Sequence, residues 1–243
     1  MSLSGKSVVI TGGGTGIGQG CALAFAAAGC NVLIAGRRES KLQETIQANK
    51  GPGEITAHVA DVANRDEARE LITAAEKKFG RIDILLNSAG INIANRRMEV
   101  LDPEDWDKLL KVNTTGAFNT IHFVLPGMRE RQDGLIVNIS SVAGLRALPL
   151  AGVAYAASKF AMTALGTLVG LEERERGIRV TNVYPGEVET PILDARPTPV
   201  SAEHRARILQ PEDIAAMVVA VAHLPPRAHV PDLVIKPLTQ EFC

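Results

Sequence analysis

The sequence is short of cysteines, of net charge, of long apolar runs and of clustered histidines. Its three cysteines, Cys21, Cys30 and Cys243, show no C-x-x-C spacing. Cys21 falls on an apolar helix face, as a buried free thiol would, so a reducing, cytoplasmic compartment is expected. The formal net charge of −1 offers no electrostatic basis for binding nucleic acid or an anionic membrane. No charged n-region followed by an apolar h-region opens the chain, so no signal peptide is expected. No run reaches the roughly 18 apolar residues of a membrane span. The five histidines include no pair at metal-ligand spacing, and no metal is expected. No repeat, low-complexity tract or linker divides the 243 residues. The expectation is one domain over residues 1–243, with a cofactor half at about 1–130 and a catalytic and substrate half at about 131–243.

What is present begins with Thr11-Gly12-Gly13-Gly14-Thr15-Gly16-Ile17-Gly18, between an apolar run at 7–10 and an apolar helical pattern at 21–28. Strand, glycine turn and helix make a phosphate cradle. Glycine lets a pyrophosphate approach the backbone, and the helix N-terminus offers free N–H groups and a positive dipole end. Two stricter motifs fail. The P-loop pattern needs a lysine where Gln19 stands, and strict G-x-G-x-x-G meets Ile17 or Gln19 at its sixth position. T-G-x-x-x-G-x-G remains, on Thr11, Gly12, Gly16 and Gly18.

Apolar strands at 31–35, 55–59, 82–86, 134–139, 179–184 and 233–235 alternate with helical segments. Asn64 is an expected N-cap, and Asp102-Pro103-Glu104 an expected helix start. The helix through Asn113 is expected to reach Leu125 with a kink at Gly116. Residues 187–210 read as a long irregular loop. The alternation predicts an α/β fold, a doubly wound parallel sheet of about seven strands in the order 3-2-1-4-5-6-7, with helices on both faces. The ligand belongs beyond the strand C-termini, at the switch between strands one and four. The second strand ends in Gly36-Arg37-Arg38. Arginine there suits a 2′-phosphate, so NADP(H) is favoured and NAD(H) is the alternative.

Tyr155 and Lys159 lie four apart on a predicted helix and share a face. A phenol titrates near ~10, and an adjacent ammonium favours phenolate. Ser141, at the end of a strand, is placed to donate to a carbonyl oxygen becoming an alkoxide. Asn113 is placed to hold a water beside Lys159. No His or Cys base–nucleophile pair stands out. The helix from Phe160 onward is apolar on several sides, as in a helix buried in its own core or at a subunit interface.

With these motifs in order, the chain resembles the short-chain dehydrogenase/reductase family over nearly its whole length. The matching residues are Thr11-Gly12-x-x-x-Gly16-x-Gly18, Asp61-Val62, Asn87-Ser88-Ala89-Gly90, Val112-Asn113, Ile139-Ser140-Ser141, Tyr155-x-x-x-Lys159 and Pro185-Gly186-x-Val188-x-Thr190. The resemblance implies a Rossmann-like domain, a homodimer or homotetramer, and NAD(P)(H)-dependent interconversion of a carbonyl and an alcohol. It implies Tyr155 as proton donor and acceptor, with Lys159 lowering its pKa and holding the nicotinamide ribose. Ser141 would orient substrate and Asn113 would support a proton relay. The cofactor would meet Gly12, Gly14, Thr15, Gly16, Ile17 and Gly18 at the pyrophosphate, and Asp61 and Val62 at the adenine. Ala89, Gly90, Pro185 and Gly186 would border it, with Val188 and Thr190 at the carboxamide and phosphate side. Asn87 would brace the sheet. An enoyl reductase and a non-catalytic nucleotide-binding scaffold are the alternatives.

The chain departs from the family at Ser88, which stands for an asparagine. It departs at Thr15, where NADP(H) users often carry a basic residue, and in the segment 236–243, which replaces a glycine-rich end. Segments 91–97, 145–152 and 187–210 are expected around a small, partly apolar carbonyl or alcohol substrate. Arg96, Arg97, Arg196, Arg205 and Arg207 are expected on the solvated surface, the alternative being contact with an anionic substrate group.

Overall fold

The computed structural model describes residues 2–240; Met1 and residues 241–243, Cys243 among them, lie outside the described residues. Seven strands are β1 (Ser7–Thr11), β2 (Asn31–Gly36), β3 (Ile55–Val59), β4 (Ile84–Asn87), β5 (Gly134–Ile139), β6 (Ile178–Pro185) and β7 (Asp232–Ile235). They form one parallel sheet in the order β3-β2-β1-β4-β5-β6-β7, as the alternating pattern predicts. The helices are α1 (Gly16–Ala27), α2 (Glu39–Ala48), α3 (Arg65–Phe79), α4 (Pro103–Leu110), α5 (Gly116–Arg131), α6 (Val153–Glu173), α7 (Ala202–Arg205) and α8 (Pro211–Ala222).

Every residue of β1, β4 and β5 is buried. This follows from helices covering both faces, and it explains why these strands read as continuous apolar runs. Successive side chains alternate between two cores. Val8 and Ile10 join Cys21 and Phe25 of α1 and Val218 of α8 on one face. Val9 and Leu85 join Leu71 and Ile72 of α3 and Ile121, Val124 and Met128 of α5 on the other.

Local sequence sets the ends of several elements. The Asn64 side chain accepts from Asp66 N, and Asp102 accepts from Glu104 N, so both expected N-caps form. Gly80 ends α3 at φ +77°. One helical segment differs from expectation. Gly116 has ordinary helical angles and makes no kink; a π turn at Lys111–Thr115 joins α4 to α5 instead. The helix also runs past Leu125 and through Pro126 to Arg131. Its last turns are anchored by Arg129, which donates from Nε to Glu173 Oε2 at 3.0 Å on α6. Tertiary pairing here outweighs the ring clash and lost N–H of an interior proline. Residues 187–210 are also more ordered than a loop. They hold a 3-10 turn at Pro191–Ala195, helix α7 and a β-bridge between Val188 and Leu209.

Candidate active site

The glycine loop leaves β1 between the ends of β2 and β4. Thr11 Oγ1 accepts from Ser88 N and Ala89 N, both at 3.1 Å, which ties β1 to the segment after β4. Gly12 has φ +68°, and a Cβ there would lie 2.8 Å from Ala89 Cα. A Cβ on Gly18 would lie 2.3 Å from Gly12 O. These two positions make the loop close-packed, so its backbone sits open to the cavity. Helix α1 then starts with its amides unclaimed: the Thr15 side chain caps nothing, and the first turn has no acidic residue. An anion-sized cradle with free N–H donors and a positive dipole end fits a pyrophosphate.

A cavity of about 540 Å³ begins at this loop and runs along the C-terminal edge of the sheet. One end is lined by Gly14, Thr15, Ile17, Arg37, Arg38, Asp61 and Val62. Both arginines are exposed at the start of α2. Asp61 is oriented by accepting from Ala63 N at 3.0 Å. The middle is lined by Gly12, Gly16, Ala89 and Gly90, and the far wall by Pro185, Gly186, Val188 and Thr190. Ser141, Tyr155 and Lys159 line the inner end.

Of the residues read from the sequence, Gly18, Asn87 and Asn113 lie outside the cavity lining. Gly18 supports the loop from behind. Asn87 is inside the sheet, donating to Asn138 Oδ1 at 3.0 Å and accepting from Thr120 Oγ1 at 2.6 Å. Asn113 is fully buried on the π turn. Its Nδ2 donates to Ile91 O and Ser158 Oγ, both at 3.0 Å, and its Oδ1 accepts from Ile91 N at 2.8 Å. The side-chain amide is thus engaged with protein at both ends. It braces the segment after β4 against α6.

The catalytic candidates come together from two elements. Ser141 follows β5 and caps a 3-10 turn, accepting from Ala143 N at 3.1 Å. Tyr155 and Lys159 share a face of α6, with Lys159 Nζ 5.6 Å from the Tyr155 ring centroid. Against the expectation that Lys159 lowers it, the Tyr155 phenol is raised above its ordinary value by desolvation, and the groups that oppose that rise are the Ser141 hydroxyl and the Arg96 guanidinium. Lys159 is 4% exposed and donates to Ile139 O at 2.8 Å. Burial pushes its ammonium down to about 8.

The arginines divide. Arg97 is exposed and near Glu99, and Arg207 is exposed, as expected. Arg205 is half-buried between Glu189 and Asp194. Arg196 is 16% exposed and pairs with Glu187 at 3.3 Å. Arg96 is 6% exposed, and both it and Arg196 line the cavity, so the solvated-surface expectation fails for these two. Sequence reasoning also passed over Gln240, which lines the cavity and accepts from Glu187 N at 2.9 Å. A glutamine 53 residues from its partner carries no local signal. Among the described residues no group of three or more His, Cys, Asp or Glu is placed to hold a metal, and no helix is long and apolar enough to cross a membrane.

A doubly wound sheet with a glycine cradle at its switch point, and a Ser–Tyr–Lys set at the inner end of the same cavity, defines the class: a Rossmann-like nucleotide-binding oxidoreductase. The chain belongs to the short chain dehydrogenase family, whose model matches residues 6–200. It is 35% identical over 228 residues to a 3-oxoacyl-[acyl-carrier-protein] reductase of Thermotoga maritima, covering 91% of this chain and 92% of that protein. Solved structures agree. An alcohol dehydrogenase of Thermococcus sibiricus complexed with 5-hydroxy-NADP superposes with a TM-score of 0.87 at 25% identity, over 97% of this chain and 98% of that one. A 3-ketoacyl-(acyl-carrier-protein) reductase of Brucella melitensis complexed with NADH gives 0.86 at 28% identity, also over 97% and 98%.

Proposed function

We propose that the protein interconverts a carbonyl and a secondary alcohol with a nicotinamide dinucleotide, preferring NADP(H), and that Tyr155 is its general acid and base. The observation that carries this reading is the cavity itself, which joins the pyrophosphate cradle to Ser141, Tyr155 and Lys159. Gly12, Gly14, Thr15, Gly16, Ile17, Ala89 and Gly90 would hold the cofactor along the sheet edge. Asp61 and Val62 would flank the adenine, and Arg37 and Arg38 a 2′-phosphate. The bound cofactor supplies or accepts the hydride.

The rest is the work of this chain's side chains. Ser141 donates to the carbonyl oxygen and holds it beside the phenol. Tyr155 gives its proton to that oxygen in reduction and takes it back in oxidation. Ser141 and Arg96 favour the phenolate form that the second direction requires. Lys159 would keep positive charge beside the ring and meet the nicotinamide ribose. Apolar residues exposed on α5 and α6, Phe118, Phe160, Leu168 and Leu171, support a homodimer or homotetramer. Cys21 and Cys30, free and buried, support a reducing, cytoplasmic setting.

The test is Tyr155→Phe. Turnover of a carbonyl panel should vanish, while binding of NADPH, followed by its fluorescence, persists. Retained turnover in the variant would remove Tyr155 from the proton transfer.

A further inference from the structure

Among the described residues Arg96 is the one cavity-lining guanidinium that is nearly fully buried, and its bonds are unusual. Nε donates to Ile93 O at 2.8 Å, Nη1 to Leu150 O at 2.8 Å and Nη2 to Ala195 O at 2.7 Å. The three carbonyls belong to the segment after β4, the turn before α6 and the 3-10 turn after β6. The Arg96 carbonyl in turn accepts from Val153 N, at the first turn of the helix that carries Tyr155. Gly152, at φ +84°, makes this possible, since a Cβ there would sit 2.4 Å from Arg96 Cβ. The guanidinium is therefore held rigidly in the cavity wall.

Its charge is not matched. All three acceptors are neutral carbonyls, and among the described residues Arg96 makes no salt bridge. The charged neighbour acting on it besides the Tyr155 phenol is another cation, Arg196. Glu187, the carboxylate in this part of the wall, is shared between Arg196 and His204. Buried charges are normally paired, because leaving one uncompensated is costly. Among the described residues three of the five guanidinium N–H groups are used. One remains on each terminal nitrogen, and two such donors suit the two oxygens of a carboxylate. Leu148, Leu150 and Ile192 line the same region and suit a carbon skeleton.

We propose that the substrate carries a carboxylate which Arg96 receives, so that the protein acts on an oxo acid and its hydroxy acid rather than on a neutral ketone and alcohol. This rests on the carbonyl–alcohol reading given above. Arg96 fixes the anionic end, and Ser141 and Tyr155 meet the reacting oxygen.

The test uses short 2-oxo, 3-oxo and 4-oxo acids, each beside its primary amide, with NADPH and with NADH. Turnover is followed by absorbance, and binding by quenching of the enzyme-bound cofactor's fluorescence. For at least one chain length the acid should exceed its amide in kcat/KM and in affinity on the order of 30-fold, the size of a charge-assisted contact. In Arg96→Gln that ratio should fall to near one, and Arg96→Lys should restore part of it. Amides bound and reduced as well as acids by the wild type would overturn the proposal. So would an Arg96→Gln variant in which acid and amide fall together, the mark of a loop clamp alone. Tyr155-dependent turnover of amides without acid preference would sink this proposal and leave the carbonyl–alcohol reading standing. Tighter binding of acids with no turnover of any compound would sink the carbonyl–alcohol reading and the oxo-acid reaction with it, leaving Arg96 as a carboxylate-binding residue only.

Discussion

Lys159 should destabilise the protein it serves, and Lys159→Met measures by how much. Its proton affinity drops from an ordinary 10.5 to about 8 through burial alone. At about 1.4 kcal/mol per tenfold change, holding the ammonium inside the fold at pH 7 costs about 3.5 kcal/mol. Methionine removes that charge while keeping a chain of similar length. It also deletes the 2.8 Å charge-assisted bond to Ile139 O, a loss of about 1.5 kcal/mol. The variant should therefore be about 2 kcal/mol more stable at pH 7, raising the unfolding midpoint by about 4–8 °C for a chain of this size. The pH dependence has a definite sign. A folded pKa below the unfolded one means that the unfolded chain binds more protons between about 8 and 10.5. Wild-type stability therefore rises relative to the variant across that window. Below pH 8 the gap is constant; across the window it passes through zero, and above 10.5 the wild type is the more stable by about 1–1.5 kcal/mol, the worth of its bond to Ile139 O. Urea unfolding of both proteins from pH 7 to 10.5 gives the difference curve, in which other titrating groups cancel. A variant less stable than wild type at pH 7, or a gap flat across the window, would refute the reasoning.

Other perturbations address the cradle, the cofactor and the outer surface. Gly18→Ala forces a Cβ within 2.3 Å of Gly12 O, so the loop must open; NADPH affinity by fluorescence titration should fall at least about 100-fold. Arg37→Asp places a carboxylate where a 2′-phosphate would sit; the NADP(H)/NAD(H) ratio of kcat/KM should drop about 10–100-fold, and an unchanged ratio would reject the cofactor assignment. Leu168→Arg with Leu171→Arg puts two charges on an exposed apolar face of α6; light scattering should show a smaller species than the wild type.

The fold was legible because its signals are local and repeated. Buried parallel strands read as apolar runs, Asn64 and Asp102 sit one residue before their helices, and Gly80 follows α3. The π turn was not legible. Lys111–Thr115 has no composition that separates it from α-helix, and what holds it is the distant pairing of Asn113 with Ile91 and Ser158. The glycine loop, Tyr155 and Lys159 were legible because their chemistry depends on short spacings. Arg96 was not, since its partners lie 3, 54 and 99 residues away and are main-chain carbonyls that any sequence supplies. The reach of residues 187–210 over the cavity was anticipated from length alone. Its internal order rests on Arg205 bridging Glu189 and Asp194 and on the Val188–Leu209 bridge, pairings that only the folded chain brings together.

The polar thread through the sheet explains how such a site is kept in register. Asn87, Asn138 and Asn182 face one another on β4, β5 and β6. Thr120 of α5 donates to Asn87, Asn87 donates to Asn138, and Asn138 donates to Asn182. Asn182 then donates to Thr163 O and Thr167 Oγ1 of α6. Each asparagine uses its oxygen as acceptor and its nitrogen as donor, so the bonds run one way from α5 to α6. A one-residue slip of any strand would turn its asparagine to the opposite face and leave buried amides unpaired. Apolar side chains at these positions would pack without that penalty and would specify the register less sharply. The thread crosses the strands whose ends carry the segment after β4, Ser141 and the far wall, and it finishes on the helix of Tyr155 and Lys159. The geometry of the inner cavity is thus set from beneath by hydrogen bonds, and from above by the three carbonyls that Arg96 draws together.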